Sequence, residues 1–301
     1  MALLKPNFFI IGAPKCGTTS LHHYLNEHPQ IFMPNQKELH FFTFEILSKL
    51  KNGPRDNIVK QTQINNSDKY LKFYREVKNE IAIGDASPSY INYPTQFPKI
   101  KEYLNDPKLI IVLRDPINRA YSNYLHLKRE QRETLSFKEA INIEEERKNK
   151  KYSDFWYYKF NSTYHEKLVK AKEIFSDVLI ITSEELSDNN EATMKKVYKF
   201  LDVDHSFKAK HNSNKFNKGG YYKKNFFTKI IFQPSIFKNL IKKVIKPTPL
   251  LKILLAQTAS TFSIKAEQID KETEIHLKKY FKEEVAKLKS LNVDVSNWRK
   301  Y

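Results

Sequence analysis

The sequence predicts an α/β fold, an open parallel β-sheet flanked by helices on both faces. Three observations predict it. Short unbroken apolar runs, such as Phe8–Ile11 and Leu109–Leu113, read as strands buried on both sides. Amphipathic stretches of helical period separate such runs. Two of the runs end in polar turns of the kind that link a parallel strand to the next helix, at residues 12–20 and 114–116.

In chain order, Asn7–Ile11 is the first strand and runs into Gly12. A helix near Thr18–Glu27 then places Leu21, Tyr24 and Leu25 on one face. Tyr70–Val77 reads as helical, Glu80–Gly84 as a second strand and Pro94–Leu104 as a helix. Leu109–Leu113 is the clearest buried strand. Pro116 opens a helix to about Arg132, because a first-turn proline forfeits no helical hydrogen bond. Helices near Phe137–Arg147 and Ser162–Phe175 precede a fourth strand, Val178–Ile181, and a helix over Glu191–Leu201. Glu272–Leu291 reads as a closing amphipathic helix. The 301 residues read as one domain, with a basic amphipathic segment at about 222–264 broken by Pro234, Pro247 and Pro249.

Composition narrows the function classes. With 40% hydrophobic and 29% charged residues the chain is globular rather than disordered. No apolar run is long enough for a membrane-spanning helix, and the N-terminus lacks the ordered regions of a signal peptide. The single cysteine, Cys16, excludes an internal disulfide and a cysteine-rich zinc site. A cytoplasmic setting is the expectation. The net charge of +18 is concentrated: thirteen lysines and no acidic residue fall between Asp204 and Glu267. That block suits an anionic partner, and peripheral contact with the inner face of an anionic membrane is one version of it. A generally lysine-rich composition explains it equally well. No specific nucleic-acid partner is expected, since no RNA-binding aromatic motif or helix-turn-helix is present. Oligomeric state is left open.

Glycine is scarce, and four of the six fall at 12, 17, 219 and 220. The first pair brackets Gly12-Ala13-Pro14-Lys15-Cys16-Gly17-Thr18-Thr19-Ser20. A loop between strand and helix offers backbone N–H groups at the positive end of a helix dipole. Lys15 adds a charge, and Thr18, Thr19 and Ser20 add hydroxyl donors. The loop is P-loop-like, but Thr18 stands where the P-loop lysine belongs and the lysine has moved to Lys15. A different phosphorylated donor from a nucleoside triphosphate is therefore expected. The second segment, Arg114-Asp115-Pro116-Ile117-Asn118-Arg119-Ala120-Tyr121-Ser122, again places a strand end before a helix. Arg119, Ser122 and His126 share one helical face, and an arginine fork with a serine hydroxyl suits a terminal phosphate. Asp115 alone reads as a helix cap.

Together these segments resemble the sulfotransferases that use 3′-phosphoadenosine-5′-phosphosulfate (PAPS). The resemblance is to the branch containing heparan-sulfate sulfotransferases and their bacterial relatives. Lys37-Glu38-Leu39-His40-Phe41-Phe42 and Ala86-Ser87-Pro88-Ser89-Tyr90 support it, over about residues 7–221 and again at Asp294–Trp298. The resemblance implies that Lys15, Cys16, Gly17, Thr18, Thr19 and Ser20 hold the 5′ phosphosulfate and that Arg114 and Ser122 hold the 3′ phosphate. It implies that Lys218-Gly219-Gly220 closes over the nucleotide, and that no metal is needed. Ser162-Thr163-Tyr164 matches a nucleotide-side element loosely, and Tyr164 reads as core.

Sulfuryl transfer needs a base for the acceptor and charge stabilisation for the leaving phosphate. The resemblance assigns these roles to Glu38 and Lys15. Without it, Glu38 reads as a solvated carboxylate beside Lys37. His40 is an alternative base, although a histidine before Phe41-Phe42 reads as a packed, hydrogen-bonded core residue. His22, His23 and His126 have weaker warrant. Ala86 stands where related polysaccharide enzymes often carry a lysine. The acceptor implied is a hydroxyl or amine of a saccharide, a lipid-linked glycan or a small metabolite. Two competing readings are a P-loop-type kinase, which lacks its lysine here, and a basic membrane- or nucleic-acid-binding protein, which leaves both loops unexplained.

Overall fold

Two runs too apolar to face water, Phe8–Gly12 (β1) and Lys108–Leu113 (β4), pair in parallel at the centre of a sheet. The structure, a computed structural model, describes residues 4–59, 63–209, 221–222, 263–264, 268–299 and 301. Ile31–Phe32 (β2), Ala82–Ala86 (β3) and Val178–Thr182 (β5) complete a five-stranded sheet in the order β2-β3-β1-β4-β5. Every pairing is parallel, with Phe8 opposite both Gly84 and Lys108, and Ile111 opposite Ile180. Helices flank the sheet on both faces, as the sequence predicts. All five residues of β1 and of β3 are buried, which is why these strands carry no polar alternation.

The chain leaves β1 toward β2 and β3 on one side and later fills β4 and β5 on the other. That reversal opens a crevice at the carboxyl ends of β1 and β4, the place where open α/β sheets bind ligands. Both polar loops singled out in the sequence emerge there.

Several element boundaries differ from expectation. The second predicted strand begins at Ala82 rather than Glu80, because the Glu80 carboxylate accepts the Lys78 N–H (2.6 Å) in a turn. The two-residue β2 carries too few residues to show a pattern. The expected helix at 70–77 starts earlier, at Ser67, capped by Asn66, and tightens to a 3₁₀ turn over Lys72–Tyr74. The helix expected over Phe137–Arg147 breaks at Ile143. Glu144 turns inward there to accept the N–H groups of Lys159 and Phe160 (2.6 and 2.9 Å). The Pro116 helix stops at Arg129, and Gln131 takes a left-handed φ of 54°. Arg132 then folds in to pair with buried Asp56. The helix expected from Ser162 starts at His165, where Glu284 of the C-terminal helix accepts the N–H groups of Tyr164 and His165 (2.6 and 2.7 Å).

The C-terminal helix runs over Lys271–Ser290, and its Leu277, Phe281, Val285 and Leu288 form the buried stripe. Tyr221–Tyr222 pairs antiparallel with Ser263–Ile264, so the basic segment leaves and returns at one point. Its residues 223–262 lie outside the described residues, as do Lys218, Gly219 and Gly220. Among the described residues, no helix is long and apolar enough to cross a membrane.

Gly84 sits where β3 passes under Phe8 and Met33. A Cβ there would lie 2.3 Å from Phe8 Cζ and 2.4 Å from Met33 Sδ. Gly84→Ala is therefore expected to destabilise the fold by about 1–3 kcal/mol through overpacking. Urea unfolding checks this, and an unchanged midpoint would mean the core can absorb a methyl group.

Candidate active site

The first loop is shaped by how β1 ends. The Ala13 N–H still bonds to the Val112 carbonyl (2.7 Å), so the loop leaves in register with β4. The backbone then turns back through Lys15 (φ 71°) and Gly17 (φ 94°). Glycine takes the second left-handed position without a Cβ penalty. The helix Thr18–Asn26 starts at that point with no side-chain cap, which leaves the positive end of its dipole to an anion.

Two arginines hold the loop from below. Arg119 is fully buried and donates from Nε to the Pro14 carbonyl (3.0 Å). Its Nη1 donates to the Tyr158 carbonyl (3.2 Å) and Ser162 Oγ (3.4 Å), and Asn123 Oδ1 accepts from Nη2. Arg114 donates to the Lys15 carbonyl (3.3 Å). The expectation that Arg119 shares a ligand-facing surface with Ser122 and His126 is thus corrected. Ser122 and His126 line the cavity, while Arg119 leans toward the turn at residues 158–162, where carbonyl acceptors await it. Tyr164 is core, as expected, and its hydroxyl donates to the Arg114 carbonyl (3.0 Å).

Above the loop lies a cavity of about 610 Å³. Lys15, Cys16, Gly17, Thr18, Thr19, Ser20, Arg114 and Ser122 all line it. So do Glu38, His40, Ser89, His126 and Arg129, which brings the predicted donor-side and acceptor-side residues into one space. A larger hollow of about 820 Å³ at the β2 edge contains none of the loop residues and mixes Lys69, Lys72 and Arg75 with Glu76 and Glu80.

The electrostatics follow from confinement. Burial pulls the Lys15 ammonium down to about 8, and Arg129 pushes it the same way while Glu38 opposes. Burial, then the charges of Lys15, Arg129 and Arg132, hold His126 well below the usual histidine range, so it is neutral at physiological pH. Burial pushes the Cys16 thiol up to about 11, and its sulfur lies 3.9 Å from the Tyr164 hydroxyl. Cys16 contributes backbone rather than a reactive thiolate. His22 is buried, with Nε2 3.0 Å from the Pro34 carbonyl, and burial lowers it to about 4.

Glu38 and His40 reach the cavity through an unusual turn. Both have left-handed φ, 60° and 52°, and between them Leu39 plugs into the core. The Glu38 N–H bonds to the Ala86 carbonyl (2.9 Å) and the His40 N–H to Ser87 Oγ (3.3 Å). His40 is packed and hydrogen-bonded, as expected, but at the cavity wall rather than in the core. Its Nδ1 lies 2.8 Å from Ser89 Oγ and its Nε2 4.0 Å from the Glu38 carboxylate, at the cavity wall. Glu38 is half exposed, with Lys37 Nζ 3.7 Å away.

Sequence reasoning missed Arg129, although Ser122, His126 and Arg129 fall at i, i+4 and i+7 of one helix and that spacing was visible. Phe155 and Glu184 carry no such signal, because only the fold brings them to the cavity, while Ser89 lies in the Ala86–Tyr90 segment already singled out.

Fold and cavity together define an open parallel α/β protein of the P-loop-like class, with an anion-adapted crevice at its topological switch point. Residues 6–207 match the sulfotransferase family, and the chain belongs to it. It is 38% identical over 122 residues to the membrane-associated sulfotransferase kil1 of Dictyostelium discoideum, covering 40% of this chain and 23% of that protein. It is 31% identical over 167 residues to human carbohydrate sulfotransferase 15, covering 45% and 30%. Human heparan sulfate glucosamine 3-O-sulfotransferase 3B1 is 30% identical over 123 residues, covering 40% and 26%. The chain thus spans less than a third of the length of these curated relatives. Among solved structures, a sulfotransferase from Alicyclobacillus acidocaldarius superposes with a TM-score of 0.76 at 29% identity, covering 99% of this chain and all of that one. The resemblance read from the two loops is borne out.

Asp85 supports the Glu38–His40 turn from beneath. It is buried, accepts from Ser87 Oγ (2.6 Å) and the Tyr70 hydroxyl (2.9 Å), and burial raises its carboxyl to about 6. A carboxyl that holds its proton more tightly folded than unfolded costs stability as pH rises through the window from about 4 to 6. Asp85→Asn removes that cost, so its stability relative to wild type should improve by up to about 3 kcal/mol between pH 4 and pH 7. Urea titrations of both proteins at the two pH values test this. A difference that does not change with pH would refute it.

Proposed function

We propose that this chain transfers a sulfuryl group from PAPS to a hydroxyl or amine acceptor on a saccharide, lipid-linked glycan or small metabolite. One observation carries the reading: residues 14–20 of the first loop, Arg114 and Ser122 of the second segment, and Glu38, distant in sequence, line a single cavity. Membership of the sulfotransferase family supports it, as do relatives named as carbohydrate sulfotransferases.

The residues suit the donor chemically. A phosphosulfate at the uncapped helix start would meet backbone N–H groups, the hydroxyls of Thr18, Thr19 and Ser20, and the Lys15 ammonium. Lys15, lowered by burial, would regain a firm charge once an anion sits beside it. Arg114 and Ser122 would take the 3′ phosphate, which ATP lacks. When bound, the donor supplies the activated sulfuryl group. Glu38 would take the acceptor proton as the new bond forms, and Lys15 would stabilise the charge growing on the leaving phosphate. His40, held by Ser89, would fix the direction of the Glu38 carboxylate.

Thermal shift of the intact chain tests the donor assignment. 3′-Phosphoadenosine 5′-phosphate should raise the melting temperature, and ADP with Mg²⁺ should not. The opposite pattern would select a kinase instead. For the base, Glu38→Gln keeps size but loses basicity. It should bind 3′-phosphoadenosine 5′-phosphate normally and lose about 10²-fold or more in turnover, read as labelled sulfate passed to a panel of hydroxyl acceptors. Full turnover in that variant would remove Glu38 from the mechanism.

A further inference from the structure

Lys37 makes a contact that none of the roles above uses. Its side chain is 15% exposed, and its Nζ donates to Thr19 Oγ1 at 2.9 Å. Thr19 lies in the second position of the helix Thr18–Asn26 and lines the cavity. The same ammonium stands 3.7 Å from the Glu38 carboxylate. The ion pair by itself has little weight, because Glu38 is half exposed and water screens it. The contact to Thr19 is different, because it limits what a hydroxyl can do.

A threonine hydroxyl has one proton and two lone pairs. In a loop without Lys37 it could point that proton at a nearby carbonyl, or turn a lone pair toward the cavity and repel an anion. An ammonium has only protons to offer. Once it occupies one lone pair of Thr19, the proton and one lone pair remain; an anion in the cavity selects the proton, and the ammonium makes that proton a stronger donor. The turn that carries Lys37 is itself tied to the sheet, through the Glu38 N–H on the Ala86 carbonyl.

We propose that Lys37 is a positioning residue that biases Thr19 toward donating to the 5′ phosphate of the nucleotide. It also links the loop holding the donor to the turn holding Glu38. This rests on the PAPS reading of the cavity, and the test separates the two.

Isothermal titration of the intact chain uses two probes, 3′-phosphoadenosine 5′-phosphate and adenosine 3′-monophosphate, which lacks the 5′ phosphate. Lys37→Met should weaken the first about tenfold and leave the second within about twofold. Lys37→Arg should recover most of the loss, since a guanidinium can still donate. Thr19→Val should lose a similar factor, and the double variant should lose no more than Thr19→Val alone. Wild-type affinity for both probes in Lys37→Met would overturn the proposal. So would an equal loss for both, which marks a general loosening, or additive losses in the double variant, which mean Lys37 does not act through Thr19. If the wild-type chain binds neither nucleotide, the donor reading itself falls and this one with it.

Discussion

The buried guanidinium of Arg119 is the constraint on which the cavity depends. It sits with no solvent contact at the start of the helix Pro116–Arg129, and among the described residues no carboxylate bonds to it directly. Its hydrogen bonds go to the carbonyls of Pro14 and Tyr158 and to the side chains of Ser162 and Asn123. Burial works against its charge, so these acceptors must be in place together. The first loop, the helix Pro116–Arg129 and the turn at 158–162 are thereby locked to one point. The loop that turns through Lys15 and Gly17 can hold its left-handed backbone because its floor cannot move.

On that floor the cavity gathers charge of both signs. Lys15, Arg114 and Arg129 line it together with Glu38 and Glu184. The carboxylates are not loose. Glu184 accepts from Trp298 Nε1 (3.1 Å), and Glu38 stands beside Lys37 and His40. A polyanion entering such a space meets three cations and restores the charge that burial weakens at Lys15. The Glu38 carboxylate lies within the same walls.

The wall bearing Glu38 and His40 is rigid for a separate reason. Phe41 stacks on Tyr70 at 4.5 Å, and Phe42 packs edge-on to Tyr70 and Tyr90. Tyr70 in turn bonds to Asp85, which bonds to Ser87, which accepts the His40 N–H. Packing and hydrogen bonds thus converge on a turn where two of three consecutive residues, Glu38 and His40, take positive φ. The C-terminal residues brace the other wall. The Arg299 side chain and the Tyr301 hydroxyl reach Asp115, the cap of the helix that carries Ser122.

The sheet, its parallel sense, the phosphate-type loop and the presence of Lys15, Arg114 and Ser122 at the cavity were all legible in the chain, whereas Glu38 was reached only through the family resemblance. Each of the former is written in contiguous residues: apolar runs without alternation, a loop of fixed spacing, a proline behind a capping aspartate. Tertiary structure decided the rest. Whether Arg119 faces ligand or core depends on the carbonyls at 14 and 158, and no periodicity in its own helix contains them. His40 reads as core beside Phe41-Phe42 until Ser89, forty-nine residues away, meets its ring. Asp85, Lys37 and Glu184 acquire their partners in the same way. Local sequence encodes what a segment prefers by itself, while the direction of a polar side chain is set by which distant donor or acceptor the fold delivers to it.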